Sequence, residues 1–270
     1  AWRSIGFSHY HAGQFTLHKR MSHGVRFDFN YTFSKSIDLA SDAERVPIWG
    51  GLGGNIINAW SPFQLKAVSD FDLRHQINGN WTFQLPFGEG RHFASSVGKG
   101  LDAIIGGWDF SGVSRWTSGF PVNISNGFQW PTDWQLGGEA IATTRPPQAT
   151  TRYTDTSGVG QISLFKTNIN AINNFRSPFP GEAGARNQIR GDGFLNTDMS
   201  LTKSWKMPYK ESHRLLLRWD VFNVFNTKRF DVQSAGFDGN LELDISSSFG
   251  NYTHVLTQQR LMQFGLRYEF

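Results

Sequence analysis

The sequence predicts an all-β chain, an antiparallel segment of a transmembrane β-barrel with long extracellular loops. Three observations carry that expectation. Apolar and polar residues alternate with period two in about seven separate segments, which places one set on each face of a strand. The connections between those segments alternate between short and long. Aromatic residues make up 15% of the chain, with 24 Phe and 10 Trp beside 29 Gly. That composition suits aromatic girdles on glycine-rich strands and turns.

The first strand is expected at about 10–21, with Phe15, Leu17 and Met21 opposite Gln14, Thr16, His18 and Arg20. Ser22-His23-Gly24 then supplies a tight hairpin connection. Residues 25–34 follow, with Val25, Phe27, Phe29, Tyr31 and Phe33 on one face and Arg26, Asp28, Asn30, Thr32 and Ser34 on the other. No helical period segregates those two sets. The third strand, about 72–85, carries Leu73, Ile77, Trp81, Phe83 and Leu85 against Arg74, Gln76, Asn78, Asn80, Thr82 and Gln84. The fourth, about 105–118, sets Trp108, Phe110 and Trp116 against Asp109, Ser111, Arg115 and Thr117. Two more are expected at about 197–206 (Met199, Leu201, Trp205) and about 213–225 (Leu215, Leu217, Trp219, Val221). Residues 262–270 form the last, with Met262, Phe264, Leu266, Tyr268 and Phe270 at alternate positions.

Connections 22–24 and 207–212 are short, 86–104 is intermediate, and 36–70, 119–194 and 226–257 are long. In transmembrane barrels short turns lie on the periplasmic side and long loops outside. That parity puts Phe270 at the periplasmic end. The Trp residues near the expected strand ends, Trp81, Trp108, Trp116, Trp205 and Trp219, suit interfacial belts. A soluble two-sheet sandwich alternates in the same way, so that alternative stays open on pattern alone.

Composition excludes several classes. The chain has no cysteine, so disulfides and thiolate metal sites are ruled out. Mean hydropathy is −0.40, and no apolar run reaches the ~18 residues of a transmembrane helix. A net charge of +4 and a pI near 9.4, with no basic cluster on one segment, give no reason to expect nucleic acid as a partner.

No enzyme site is expected. The chain has no Gly-x-Ser-x-Gly, no His-Glu-x-x-His and no phosphate loop. His9 and His11 share a strand face and could clasp a metal, as could His18 and His23 if the fold joined them, but a solvated strand or lumen face is the expectation and no metal or other cofactor is expected. Asp38, Asp42 and Glu44 cluster in one loop but lack the spacing of a calcium loop. The better ligand-contact candidates are the loop tryptophans Trp49, Trp60, Trp130 and Trp134, because an exposed indole offers large contact area at low entropy cost. Arg74, Arg115, Arg218 and Arg267 are the lumen-facing candidates, where charge tunes what passes. Asp72, Asp109, Asp220 and Glu269 stand close enough in sequence to pair with them.

Several stretches together carry a family likeness. They are Tyr31-Thr-Phe-Ser-Lys-Ser-Ile-Asp38, Ser69-Asp-Phe-Asp-Leu-Arg-His75, Leu85-Pro-Phe-Gly88, Gly107-Trp108, Ser118-Gly-Phe-Pro121, Arg190-Gly-Asp-Gly-Phe194 and Asp220-Val-Phe-Asn-Val-Phe-Asn226. In this order, over nearly the whole chain, they resemble the C-terminal part of the barrel of TonB-dependent outer-membrane receptors. The nearest type is the Oar-like group with a carboxypeptidase-regulatory-like domain. The resemblance implies a barrel of about 22 strands around a plug, of which residues 1–270 would be the C-terminal portion, without the plug domain or the N-terminal strands. It implies bacterial outer-membrane lipid as surroundings and TonB, acting through the plug, as the source of energy. It also implies an unidentified solute as cargo. The last strand resembles the closing strand of outer-membrane barrels, which assigns Phe264, Leu266, Tyr268 and Phe270 to the signal read by the barrel-assembly machinery. Two other readings stand beside this one: a soluble carbohydrate-binding β-sandwich, and an outer-membrane structural protein without transport.

Overall fold

The structure is a computed structural model. It describes residues 6–39, 41, 61–64, 66–127, 139–144, 162–165, 171–180, 182, 184–210, 212–233, 241–244 and 246–270. The elements in chain order are β1 (Ser8–Ser22), β2 (Val25–Asp38), β3 (Ala67–Val68), β4 (His75–Gln84), α1 (Lys99–Ile105), β5 (Trp108–Thr117), β6 (Pro121–Val122) and β7 (Ile141–Ala142). They continue with β8 (Phe175–Arg176), β9 (Ile189–Arg190), β10 (Phe194–Lys206), β11 (Arg214–Phe222) and β12 (Leu261–Glu269).

The long strands form one antiparallel meander in the order β1-β2-β4-β5-β10-β11-β12. Each expected segment is present, with shifted ends. The two-sheet sandwich does not fit, because these strands make one continuous sheet. The sheet does not close on itself: β1 pairs with β2, β12 pairs with β11, and they do not pair with each other.

The pairing keeps the two faces separate across the whole sheet. Arg26 faces Thr82, Thr82 faces Ser111, Ser111 faces Ser200, Ser200 faces Asp220 and Asp220 faces Gln263. One row along the opposite face runs Phe83, Phe110, Leu201, Trp219 and Phe264. A one-residue slip at any hairpin would mix these faces, so the alternation itself enforces the register. Turn chemistry helps. His23 and Gly24 both have positive φ, 53° and 76°, which is the primed geometry that two-residue hairpins require.

The apolar face is open rather than packed. Phe264 is 70% exposed, Leu266 69% and Phe270 90%. Polar groups on this face find partners within it. The Ser114 and Thr197 hydroxyls bond each other at 2.8 Å, and the Tyr31 hydroxyl lies 2.9 Å from His75 Nδ1. The five Trp proposed for belts all lie on this face. Trp108 and Trp205 sit at the short-turn end and Trp116 at the other. Trp81 and Trp219 correct the expectation: they lie inside the strands, where Trp219 stacks on Phe264 at 5.7 Å.

Three further departures have local causes. The expected strand to residue 225 stops at Phe222, because Asn223 turns the chain with φ 49°. Its side chain holds the turn, donating to the Thr227 and Gln258 carbonyls and accepting from the Thr227 N–H. Residues 99–105, expected as connection, form α1. The long connections are also not structureless. Segments of 118–193 and 226–260 pack around a core of Ile124, Leu164, Phe165, Phe175, Val232, Leu241 and Phe249, with Phe165 stacked on Phe249 at 5.5 Å. Among the described residues the buried apolar cluster therefore lies in the loops rather than in the main sheet.

Candidate functional site

The polar face and the loop cap at its long-loop end form the candidate site. Arg115 on β5, Arg218 on β11 and Arg267 on β12 all share the polar face. Arg74 lies just before β4, where its carbonyl accepts from the Ser34 N–H. Two of the anticipated partners are realised. Arg218 Nε lies 2.8 Å from Asp220 and Arg267 Nε lies 3.4 Å from Glu269. Arg115 does otherwise: its guanidinium stands 5.8 Å from the Phe194 ring centroid. Asp72 does not go to Arg74 either; it is taken by Arg190.

Across the middle of this face runs a groove of about 480 Å³. Arg26, Asn80, Asp198, Arg218, Asp220 and Phe222 are among its lining residues. A smaller cavity of about 280 Å³ adjoins it towards the long loops and shares Asp198 and Phe222 with it. Asn196, Gln258 and Gln259 line the smaller one. Asp198 Oδ1 accepts from Asn196 Nδ2 at 2.9 Å and from the Asn223 N–H at 2.8 Å.

The cap is fastened to the sheet by a buried ionic cluster. Arg186 donates to Asp38 Oδ1 at 3.0 Å, to Asp70 Oδ1 at 2.9 Å and to the Ser41 hydroxyl at 3.0 Å. Asn187 Nδ2 donates to the same Asp70 oxygen at 2.7 Å and to the Val68 carbonyl at 2.6 Å. Arg190 joins the Asp72 carboxylate and reaches the Asp72 and Gly119 carbonyls. Burial works against the Arg186 charge, but its hydrogen bonds to Asp70 and Asp38 outweigh that and raise its pKa. Shared partners on both sides make such a cluster rigid, and removal of one member costs far more than it would on the surface. Here Ser69–His75 meets Arg190–Phe194, two of the stretches that carried the family likeness. Ser118–Pro121 also joins them: Pro121 pairs with Arg190, and a side chain at Gly119 would collide with the Gly191 carbonyl.

Arg186 and Asn187 were not anticipated. A detectable signal was their place in Ala185-Arg-Asn-Gln-Ile-Arg190, two guanidiniums four residues apart in a chain with many loop carboxylates. The calcium reading of Asp38, Asp42 and Glu44 meets a different arrangement, since Asp38 is held by Arg186 and Ser41. Asp42 and Glu44 lie outside the described residues, as do Trp49, Trp60, Trp130 and Trp134. His9 and His11 lie two residues apart on one face of β1, while His18 joins Asp28 and His23 meets Ser22. Among the described residues no three His, Cys, Asp or Glu side chains are grouped to hold a metal ion.

At the short-turn end, Lys203 breaks the apolar alternation of Met199, Leu201 and Trp205. It is only 2% exposed. Its ammonium donates to the Gly106 carbonyl at the end of α1 and lies 5.0 Å and 5.1 Å from the rings of Trp108 and Trp205. Those two indoles donate in turn to the Ile104 and Ala103 carbonyls. The carbonyl end of a helix carries partial negative charge, so α1 shields a cation on a face that otherwise repels one. Tyr268 and Phe270 lie nearby on the turn after β10, with the Tyr268 hydroxyl bonded to Tyr209 and His213.

A family model described as an outer membrane beta barrel domain matches residues 1–263. No curated protein and no solved structure matches the chain.

Proposed function

The chain belongs to the outer membrane beta barrel domain family and is a protein of the bacterial outer membrane, and from that premise we propose that it is barrel wall of a TonB-dependent receptor. In this reading the apolar face meets outer-membrane lipid and the polar face lines the lumen. Solute binds at the long-loop end and passes to the periplasm, driven by TonB through a plug. The work is binding and gated passage rather than bond making, and it needs no cofactor and no nucleic acid. Phe264, Leu266, Tyr268 and Phe270 serve the barrel-assembly machinery.

The observation that carries this reading is the polar face itself. It is continuous over seven strands, holds two joined cavities, and ends under a folded cap tied down by Arg186 and Arg190. A wall that served only as a scaffold has no need of a solvated groove opposite its lipid face. The order of the receptor-like stretches and their mutual contact in the cap support the receptor type.

The test uses cells expressing the natural full-length protein, with and without TonB. Expected is accumulation of an external solute that requires both the protein and TonB. Equal accumulation without TonB would overturn the energy coupling, and no difference on deleting the protein would leave the non-transporting structural role.

A further inference from the structure

We propose that the smaller polar-face cavity is a subsite for a neutral oligosaccharide, with Phe222 as its stacking platform. The proposal rests on the transport reading and deepens it by naming a substrate class.

The polar face is made of charged, amide and hydroxyl side chains along almost its whole extent. Phe194 and Phe222 are aromatic departures from that rule, beside the aliphatic Val113, Leu216 and Leu261, and Leu261 lines the same cavity. Both rings follow the parity of the polar face, both lie at the long-loop end, and both line the cavity of about 280 Å³. A Phe turned towards water contributes nothing to a lumen wall, and the apolar face was one residue away. Phe222 remains 40% exposed. Phe194 is backed by the Arg115 guanidinium, and its ring is thus held in place by Arg115.

The groups between the two rings are suited to hydroxyls. Asn196, Gln258 and Gln259 each present an amide donor and an amide acceptor, and Asp198 adds a carboxylate already oriented by Asn196 and the Asn223 N–H. Adjacent sugar hydroxyls, each both donor and acceptor, match such a set. The C–H face of a pyranose packs on an aromatic ring as other apolar faces do. The wall is also built: Asn223 Nδ2 holds the Gln258 carbonyl at 2.7 Å, which fixes the loop carrying both glutamines over the strand ends.

Charge narrows the ligand further. Asp198 is the one charged side chain lining this cavity. In the adjoining groove Arg26 and Arg218 are balanced by Asp198 and Asp220. An anionic ferric chelate needs a surplus of cations, and this route supplies none. A neutral ligand with many hydroxyls meets no such penalty.

The experiment is calorimetric titration of the purified full-length protein in detergent with maltohexaose, laminarihexaose and xylohexaose, and with ferric citrate and a neutral hexapeptide as rivals. Expected is saturable binding of at least one hexaose, weakened roughly five- to tenfold by Phe222→Ala and retained within about twofold by Phe222→Tyr. Asn196→Ala should weaken it as well, which covers the case that Phe222→Ala fails to fold. Binding of no hexaose, preference for ferric citrate or the peptide, or hexaose binding indifferent to both alanine variants overturns the subsite. The two readings fail separately. Hexaose binding without TonB-dependent uptake removes transport and keeps the subsite. TonB-dependent uptake of ferric citrate with no hexaose binding does the reverse.

Discussion

Arg186 and Asp38 stand 148 residues apart in the sequence and form a buried ion pair at 3.0 Å. Their side chains are 7% and 6% exposed. The pair joins the end of β2 to the cap over the polar face. Removing Arg186 strands the Asp38 charge and takes a partner from Asp70. Arg186→Ala should therefore loosen the cap by about 3–5 kcal/mol. Hydrogen exchange should rise at Ser36, Ser69 and Asn187 while the β10–β11 hairpin keeps its protection. Unchanged exchange at those positions would show that the cluster does not hold the cap.

Lys203 and Gly106 make the equivalent link at the other end. Lys203→Ala leaves the Gly106 carbonyl without its donor, a loss of about 1–3 kcal/mol. The expected result is faster exchange across residues 99–105 with the sheet intact. Lys203→Met, which fills the same space with an apolar chain, should keep the sheet stable and still loosen α1, because the helix end then loses the ammonium and keeps only the two indole bonds. Retained α1 protection in both variants would dismiss the role given to the ammonium.

Phe270 is 90% exposed, so its replacement removes little packing. Phe270→Ala should leave protein already in the membrane folded, because Phe270 makes little contact with the rest of the chain. It should nevertheless lower the amount that reaches the outer membrane, read by membrane fractionation and the heat-dependent gel mobility of folded barrels. A normal yield would remove Phe270 from the assembly signal.

Glu182 offers a pH test in the cap. Its hydrogen bonds from Arg176 and from the Phe179 N–H hold its carboxyl down to about 2. The folded value lies below that of a free glutamate, near 4.3. The contact is then fully present above the free value and is lost as pH falls through about 2. A carboxyl NMR titration should place the Glu182 midpoint near 2 in the wild type and raise it in Arg176→Ala, which keeps only the Phe179 N–H bond. A wild-type midpoint near 4 would disprove the pairing.

The strands were legible because each one states its faces twice, once in its own alternation and again in its partner's. Val25–Phe33 against Arg26–Ser34 leaves one register and one period. The limits were less legible. Asn223 stops β11 by its backbone conformation and its bonds to Thr227 and Gln258, partners that local pattern does not reveal. α1 escaped notice because its seven residues are too few for a helical period to stand out. Its stability comes from Trp108, Trp205 and Lys203 rather than from propensity.

The candidate site was legible by half. Face parity placed Arg115, Arg218 and Arg267, and proximity paired Arg218 with Asp220 and Arg267 with Glu269. Arg190 with Asp72 lay beyond that logic, since neighbours along the chain say nothing about a partner 118 residues away. The same holds for the ring of Phe194, which Arg115 reaches across the β5–β10 ladder.

By itself the sequence determined the meander, its two faces and the alternation of short and long connections. These follow from local rules: period-two burial, turn chemistry and the pairing of each strand with the next. Only the tertiary structure decided that the loops carry the buried core and that Arg186 and Arg190 fasten them to the sheet. It alone also placed α1 over Lys203. Those contacts join residues far apart in the chain, and their partners are chosen by burial of charge and by shape, which no short window of sequence contains.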